Sequence, residues 1–375
     1  MYLYLAGGFI LISYVLILLF FRRSWKRLQP VSVSSDFSPK TFFSIIVPAR
    51  NEEAVIEKCL SSLIQLNYPH SLYEIIVVDD FSSDRTAEIV SQKGVKLIKM
   101  KEVIQEKINS YKKKAVDTGI RSASGDYIVV TDADCVAPSQ WLRTLAWVIE
   151  KGNPVLIASP VKMSGNASNY FHLFQSLDFL SLQGITAAAA GSGKMSLCNG
   201  ANLCYSKKSF LEIDGFAGID HLASGDDLLL MQKFSEKYPG RLRYCFSQDV
   251  IVQTFPEKSL NSFFRQRIRW ASKAVVYRET KIIGVLSVVY LVNLFPFLLL
   301  FTLFFSLSYG YLLLAFIAIK TLSELYFLIP VASFFKQNKL LLHFLFVQPF
   351  HIIYTVIAGL LGQKGSYEWK GRKVK

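Results

Sequence analysis

Cysteine is scarce in this chain of 375 residues: there are five, an odd number, and no two stand in C-x-x-C spacing. Cys59, Cys135, Cys198, Cys204 and Cys245 therefore read as reduced thiols, neither a disulfide framework nor a zinc site. Histidine is as sparse, and His70, His172, His221, His343 and His351 share no paired metal spacing. Acidic residues are in the minority, 28 against 42 Lys and Arg, for a formal net charge of +14. Nucleic acid could attract such a charge, but zinc spacing, an RNA-binding signature and a basic–aromatic platform are all missing. An anionic membrane surface is the simpler partner. The chain also lacks an internal repeat, and Gly191-Ser192-Gly193 lacks the trailing Gly-Lys-Ser/Thr of a phosphate loop.

Apolar residues are abundant instead, at 51% of the chain, with a mean hydropathy of +0.32, and the excess collects at the two ends. Tyr2 to Phe21 is a run of roughly 20 apolar residues, the length of a bilayer crossing. No basic residue precedes it and no small-residue cleavage site follows, so a retained anchor is expected rather than a cleaved leader. Arg22, Arg23, Lys26 and Arg27 come next and place that end in the cytoplasm, with the amino terminus outside. Residues 282–362 read as about three transmembrane or re-entrant helices, broken near Ser308-Tyr309-Gly310 and Lys336-Gln337-Asn338-Lys339. Three crossings after a cytoplasmic domain would carry the basic tail, Lys370 to Lys375, outside, so either one segment is re-entrant or the tail departs from the charge rule. Lys320 and Glu324, one helical turn apart in an apolar run, are expected to pair or to face the bundle interior.

Between these ends lie a linker at 23–40, an α/β domain at 41–258 and an amphipathic interfacial helix at 259–281; a basic tail occupies 363–375. Strands are expected at 42–48, 74–78, 95–99 and 127–131, and helices at 52–66, 84–93 and 112–123. This alternation argues for a doubly wound, Rossmann-like, mainly parallel sheet. Ligands in such sheets bind beyond the carboxyl ends of the strands, which is where the acidic motifs fall.

Asp79 and Asp80 end the second strand and can accept from a base N–H or a ribose hydroxyl, while Ser83 or Asp84 can cap the next helix. Asp132-Ala133-Asp134 ends the fourth strand, so both carboxylates face one side and would repel without a cation between them. Hard oxygen ligands suit Mg²⁺ or Mn²⁺; the bland alternative is an acidic turn. Asp226-Asp227 opens a helical run, where Asp226 is readable as a cap and Asp227 as a general base toward a hydroxyl. Gln266, Arg269 and Trp270 stand at i, i+3 and i+4, on one helical face. Arg grips phosphate oxygens in fork geometry, and an indole stacks on a flat ring. The alternative is a basic interfacial helix, with Arg265, Arg267, Lys273 and Arg278, resting on headgroups. Phe171, Phe174, Phe179 and Leu180 read as packing, and the sequon at 166–168 as silent in a cytoplasmic setting.

In this order, the motifs resemble those of family 2 glycosyltransferases of GT-A fold. They are most similar to the membrane-bound inverting branch of cellulose, chitin, hyaluronan and poly-N-acetylglucosamine synthases and ceramide glucosyltransferases. The resemblance runs from Phe42 to about Ala274. It implies that Pro48, Ala49, Glu52, Asp79, Asp80, Lys112 and Asp132 contact a nucleotide-sugar. By the same likeness Asp132 and Asp134 hold the divalent metal, Asp227 is the base, and Asn199-Gly200-Ala201-Asn202 lies near the acceptor. Asp226, Gln266, Arg269 and Trp270 then serve the acceptor or the diphosphate. Asp226-Asp227 departs from the family's usual Glu-Asp at the first position. The expected activity is transfer of a sugar, from a UDP-sugar, to a lipid acceptor at a bacterial-type inner or plasma membrane, with a β-linked product. A processive synthase extruding a β-linked polymer is the nearest alternative. A non-catalytic nucleotide-sugar-binding scaffold would have lost Asp132, Asp134 or Asp227, and all three are present.

Overall fold

The computed structural model describes residues 2–104, 109–165, 169–193, 195–222, 225–272, 280–362, 367–369 and 372–374. The expectations for the sequon, for Lys273 and Arg278, and for Lys370, Gly371 and Lys375 in the tail lie outside the described residues. The chain divides into two compact units. One, the α/β unit, comprises Leu28–Ser164, Ala189–Phe255 and Glu368–Lys375; the other, the helical unit, comprises Met1–Arg27, Gly165–Ala188 and Pro256–Tyr367. Gly165–Ala188, which the sequence reading places inside the α/β domain, thus groups with the apolar helices.

The α/β unit contains β1 (Phe43–Ala49), β2 (Tyr73–Asp79), β3 (Lys96–Lys99), β4 (Tyr127–Val130), β5 (Leu156–Ala158), β6 (Val161–Met163), β7 (Leu203–Ser206), β8 (Leu242–Tyr244) and β9 (Val252–Thr254). Seven of these form a sheet in the order β3-β2-β1-β4-β7-β5-β8, and β6 pairs with β9 separately. The sheet is mainly parallel, with β7 antiparallel to both β4 and β5. Continuous apolar runs explain the central strands: Ile45, Ile46 and Val47 of β1 and Ile76, Val77 and Val78 of β2 are fully buried. Such strands need cover on both faces. Gly119 on the Tyr111–Arg121 helix allows one such approach, since a Cβ there would meet Ile46 Cγ2 at 2.7 Å. The Trp141–Gly152 helix ends at Asn153 in the left-handed conformation, a common helix stop.

Helix 52–66 begins later than expected, at Ile56. The reason lies in the preceding loop: Glu52 N donates to Thr86 Oγ1 and Glu53 N to Asp84 Oδ2. Side chains beyond β2 thereby take up the N–H groups a longer helix would have started from.

Asn202 is a scaffold residue, 1% exposed. Its Oδ1 accepts from Trp141 Nε1 at 2.9 Å, and its Nδ2 lies within donating distance of Pro160 O (2.8 Å) and Val250 O (2.7 Å). Asn202→Ala is expected to destabilise the α/β unit by about 2–3 kcal/mol, because an indole N–H and two carbonyls would be left buried without partners. Chemical unfolding of the full-length protein, followed by tryptophan fluorescence, measures the loss; an unchanged midpoint would count against the assignment.

In the helical unit, four helices among the described residues are long and apolar enough to cross a membrane: Tyr2–Trp25, Ile282–Thr302, Tyr309–Phe334 and Asn338–Gly362. The expected breaks at 308–310 and 336–339 fall at the starts of the last two of these spans, overlapping Tyr309–Phe334 and Asn338–Gly362 by two residues each. Lys320 and Glu324 do pair, Nζ to Oε1 at 2.6 Å, in the bundle interior. Tyr14 hydroxyl donates to Glu324 Oε1 at 2.6 Å, Gln348 donates to Glu324 Oε2, and Lys320 Nζ reaches Gln348 Oε1 at 3.2 Å. Three spans are joined by this one satisfied cluster.

Candidate active site

Strand order reverses at β1: the chain crosses from β1 to β2 and β3 on one side, then returns to β4 on the other. Carboxyl ends at such a switch point form a crevice. Register places Ala49 opposite Asp79 and Ile46 opposite Val130, so Pro48, Ala49, Asp79 and the segment following β4 share this edge. Asp80 N prolongs the pairing with a bond to Ala49 O at 2.8 Å.

The loops after β1 and β2 are stitched together. Asn51 and Phe81 both adopt left-handed backbone, at φ 51 and 54. Asn51 N donates to Ser82 Oγ, and Ser83 N returns a bond to Asn51 Oδ1. Arg50 Nη1 donates to the carbonyls of Asp80 and Phe81 at 2.7 and 2.9 Å. Asp84 plays the capping role expected of it, accepting from Thr86 N at 3.0 Å at the start of the Thr86–Ser91 helix. Burial would raise its pKa, but bonds from Thr86 Oγ1, Glu53 N and Thr86 N hold it below the usual carboxylate value. Within this rigid edge Asp79 and Asp80 are each 2% exposed, and Asp79 Oδ1 is buried without a hydrogen-bond partner.

Asp132 and Asp134 follow β4 in a turn, half-buried, with Ala133 buried between them. Lys112, on the Tyr111–Arg121 helix, puts its ammonium 2.7 Å from Asp132 Oδ1 and 3.1 Å from Asp226 Oδ2. Burial pushes the Lys112 pKa down, yet Asp132, Asp226 and Asp227 outweigh it and the net shift is upward. One lysine thus joins Asp132, after β4, to Asp226.

The Asp226-Asp227 pair is shaped by Gly225, whose φ of +80 suits glycine. The second acid, not the first, takes the capping role expected of Asp226. Asp227 is the cap of the Leu228–Lys237 helix, accepting from Leu228 N at 2.7 Å, whereas Asp226 forms the ion pair with Lys112. Asp227 also accepts from Gly200 N at 3.3 Å. Gly200 opens a short turn capped by Asn199, whose side chain accepts from Ala201 N. This backbone N–H at Asp227 has no side-chain signature and was invisible in the sequence.

Among the described residues no three His, Cys, Asp or Glu side chains are arranged to hold a metal ion. Asp132 and Asp134 still suit Mg²⁺ or Mn²⁺, which take one or two carboxylates and fill the remaining positions with water and phosphate oxygens. Cation attraction is visible at Asp132, where the Lys112 ammonium sits.

Behind these acids lie two thiols. Burial, with the charges of Asp134 and Asp132, pushes Cys59 up to about 12, and Cys135 is raised by the same causes. Cys59, Cys135, Cys204 and Cys245 are buried, and Cys198 is half-buried. A thiol reagent at neutral pH is therefore expected to modify one cysteine of five rapidly, and Cys198→Ser should abolish that fast phase. Fast modification of a second thiol, counted by mass spectrometry, would contradict the burial.

Gln266, Arg269 and Trp270 belong to the helical unit, on the Leu260–Ser272 helix. Gln266 Nε2 donates to Glu257 Oε1 at 3.0 Å, and the Trp270 ring lies 6.2 Å from that of Phe179.

Residues 44–213 match Glycosyl transferase family 2. They form a family 2 glycosyltransferase domain. The "Probable glycosyltransferase YdaM" of Bacillus subtilis is 44% identical over 93 residues, covering 24% of this chain and 22% of that protein. "Poly-beta-1,6-N-acetyl-D-glucosamine synthase" of Staphylococcus epidermidis is 26% identical over 245 residues, covering 64% of this chain and 56% of its own. The chain thus spans between about a fifth and a little over half of these two relatives. The mannosyltransferase PcManGT of Pyrobaculum calidifontis, solved in complex with GDP-Man and Mn²⁺, superposes with a TM-score of 0.57 at 18% identity, over 96% of each chain. The α/β unit has the GT-A fold, with a mainly parallel sheet whose strand order reverses at β1.

Proposed function

We propose that this chain is an inverting glycosyltransferase. It moves a sugar from a nucleotide-sugar donor, a UDP-sugar, to a membrane-associated lipid, with the α/β unit in the cytoplasm and a β-linked product. The observation that carries this reading is Lys112. It joins the first acid of Asp132-Ala133-Asp134 to the acid next to Asp227 at the carboxyl edge of the sheet. Asp79 Oδ1, buried without a partner, would accept from the base or ribose, and a ligand donor there removes a penalty of about 1–3 kcal/mol. Pro48, Ala49, Glu52 and Asp80 would line the same pocket. A divalent cation held by Asp132 and Asp134 would neutralise the departing diphosphate. Lys112 adds a second positive charge beside it. Asp227 would take the proton of the acceptor hydroxyl as it attacks the anomeric carbon opposite the leaving group, so an α-linked donor gives a β-linked product. Gln266, Arg269 and Trp270 are assigned to the acceptor or the diphosphate.

A membrane acceptor is supported by the four long apolar helices in the same chain. The likeness to a polysaccharide synthase and the Gln266–Trp270 motif favour polymer extrusion as the second reading. The test offers purified, detergent-solubilised protein a panel of labelled nucleotide sugars with membrane lipid extract, in the presence of Mg²⁺ or Mn²⁺. Label in the lipid fraction supports transfer to lipid. Long polymer without added lipid would establish the synthase reading. Nucleotide binding with no transfer from any donor would leave only a scaffold.

A further inference from the structure

The Tyr170–Gly191 helix is largely apolar, yet it buries Gln175 at 0% and Asp178 at 3% exposure. A carboxylate in such a place is costly unless it is paired and hydrogen-bonded. Its partner is Arg267, itself 4% exposed, whose Nε and Nη2 lie 2.9 and 2.7 Å from Asp178 Oδ2. The Tyr354 hydroxyl donates to Asp178 Oδ1, with His351 Nε2 at 3.8 Å.

Arg267 stands inside the Gln266–Trp270 motif and holds both of its ends. Its Nη1 donates to Gln266 Oε1 at 2.6 Å, and its guanidinium carbon lies 4.2 Å from the centroid of the Trp270 ring. Gln266 has a second restraint through Glu257, whose backbone is clamped from both sides: Gln175 Nε2 donates to Glu257 O at 3.0 Å, and Glu257 N donates to Gln175 Oε1 at 2.8 Å. Gln175 and Asp178 are one turn apart on a single helix. Each therefore reaches the motif through one intermediate, Glu257 or Arg267. A planar guanidinium can pair, donate sideways and stack at once, which a lysine ammonium cannot.

We infer that Gln175, Asp178 and Arg267 are positioning residues that fix the Gln266 amide and the Trp270 indole for sugar transfer. This rests on the assignment of Gln266 and Trp270 to the acceptor or the diphosphate. Arg267→Lys keeps a cation for Asp178 but removes the stack and the bond to Gln266. Gln175→Met removes only the clamp on Glu257. Each is compared, as full-length protein with the donor found active in the panel and the same lipid extract, against its combination with what it positions: Arg267→Lys with Trp270→Ala and Gln266→Ala together, Gln175→Met with Gln266→Ala. Each single variant is expected to lower transfer about tenfold, since small misplacements of a binding group are costly. Neither should lower it further once what it positions is gone. An unchanged single variant, or the same fold-loss persisting in the combined variant, would overturn the inference. Should Arg267→Lys fail to fold, the Gln175→Met pair decides alone. Full activity in both Trp270→Ala and Gln266→Ala would instead remove the assignment of the motif, and this inference with it.

Discussion

Asp227→Asn is expected to lower turnover by about 10² or more while leaving nucleotide affinity near that of the unaltered protein. The substitution keeps shape and removes basicity. Asn Oδ1 can still accept from Leu228 N, so the start of the Leu228–Lys237 helix keeps its cap. The contact from Gly200 N, at 3.3 Å, is lost, and is long enough that its removal costs little. Lys112 keeps its ion pairs with Asp132 and Asp226, so the carboxyl edge that would receive the donor is undisturbed. Asp226→Asn is the informative comparison. It removes the ion pair of Asp226 with Lys112 and leaves the Asp227 cap in place, so its effect should appear in donor binding more than in turnover. Rate with the active donor, nucleoside diphosphate affinity by calorimetry and the unfolding midpoint separate these cases. If Asp227→Asn weakened nucleotide binding as much as it slowed transfer, its role as base would be lost.

Much of this site was legible one strand at a time. The centres of β1 and β2 are apolar, and acids stand at the end of β2 and just past β4, so the carboxyl-edge placement of Asp79 and Asp132 was readable from order alone. The partnership of Lys112 with Asp132 and Asp226 was not, because no spacing connects residues that meet only through the packing of a helix on the sheet. The placing of the cap at Asp227 rather than Asp226 has a similar cause. Either acid could have started the helix, and the left-handed turn at Gly225 decided it. The grouping of Gly165–Ala188 with the apolar helices was hidden for a third reason. Periodicity reports that a helix has an apolar face, never what that face packs on. Asp178 was the available signal, a lone acid in an apolar run with no neighbour in sequence to balance it.

Glu324→Ala should be the most destabilising single change in the helical unit, by about 3 kcal/mol or more, because it breaks a buried ion pair and leaves the cation behind. Lys320 is fully buried and, among the described residues, would retain only the Gln348 amide as a side-chain partner. Tyr14 and Gln348 would lose the carboxylate they donate to. The pair itself contributes little net stability, since taking both charges out of water cost nearly what their attraction returns. Lys320→Met combined with Glu324→Leu is therefore expected to recover most of the loss, and adding Tyr14→Phe to recover more by removing a stranded hydroxyl. Unfolding of the full-length protein in mixed micelles measures all three variants. A double variant as unstable as Glu324→Ala would mean that the charges hold the spans together by attraction, and that the cost of an unpaired lysine is not what the single substitution reports. The ordering single, double, triple thus distinguishes a cluster that stabilises the bundle from one that only specifies how Tyr2–Trp25, Tyr309–Phe334 and Phe344–Gly362 are arranged.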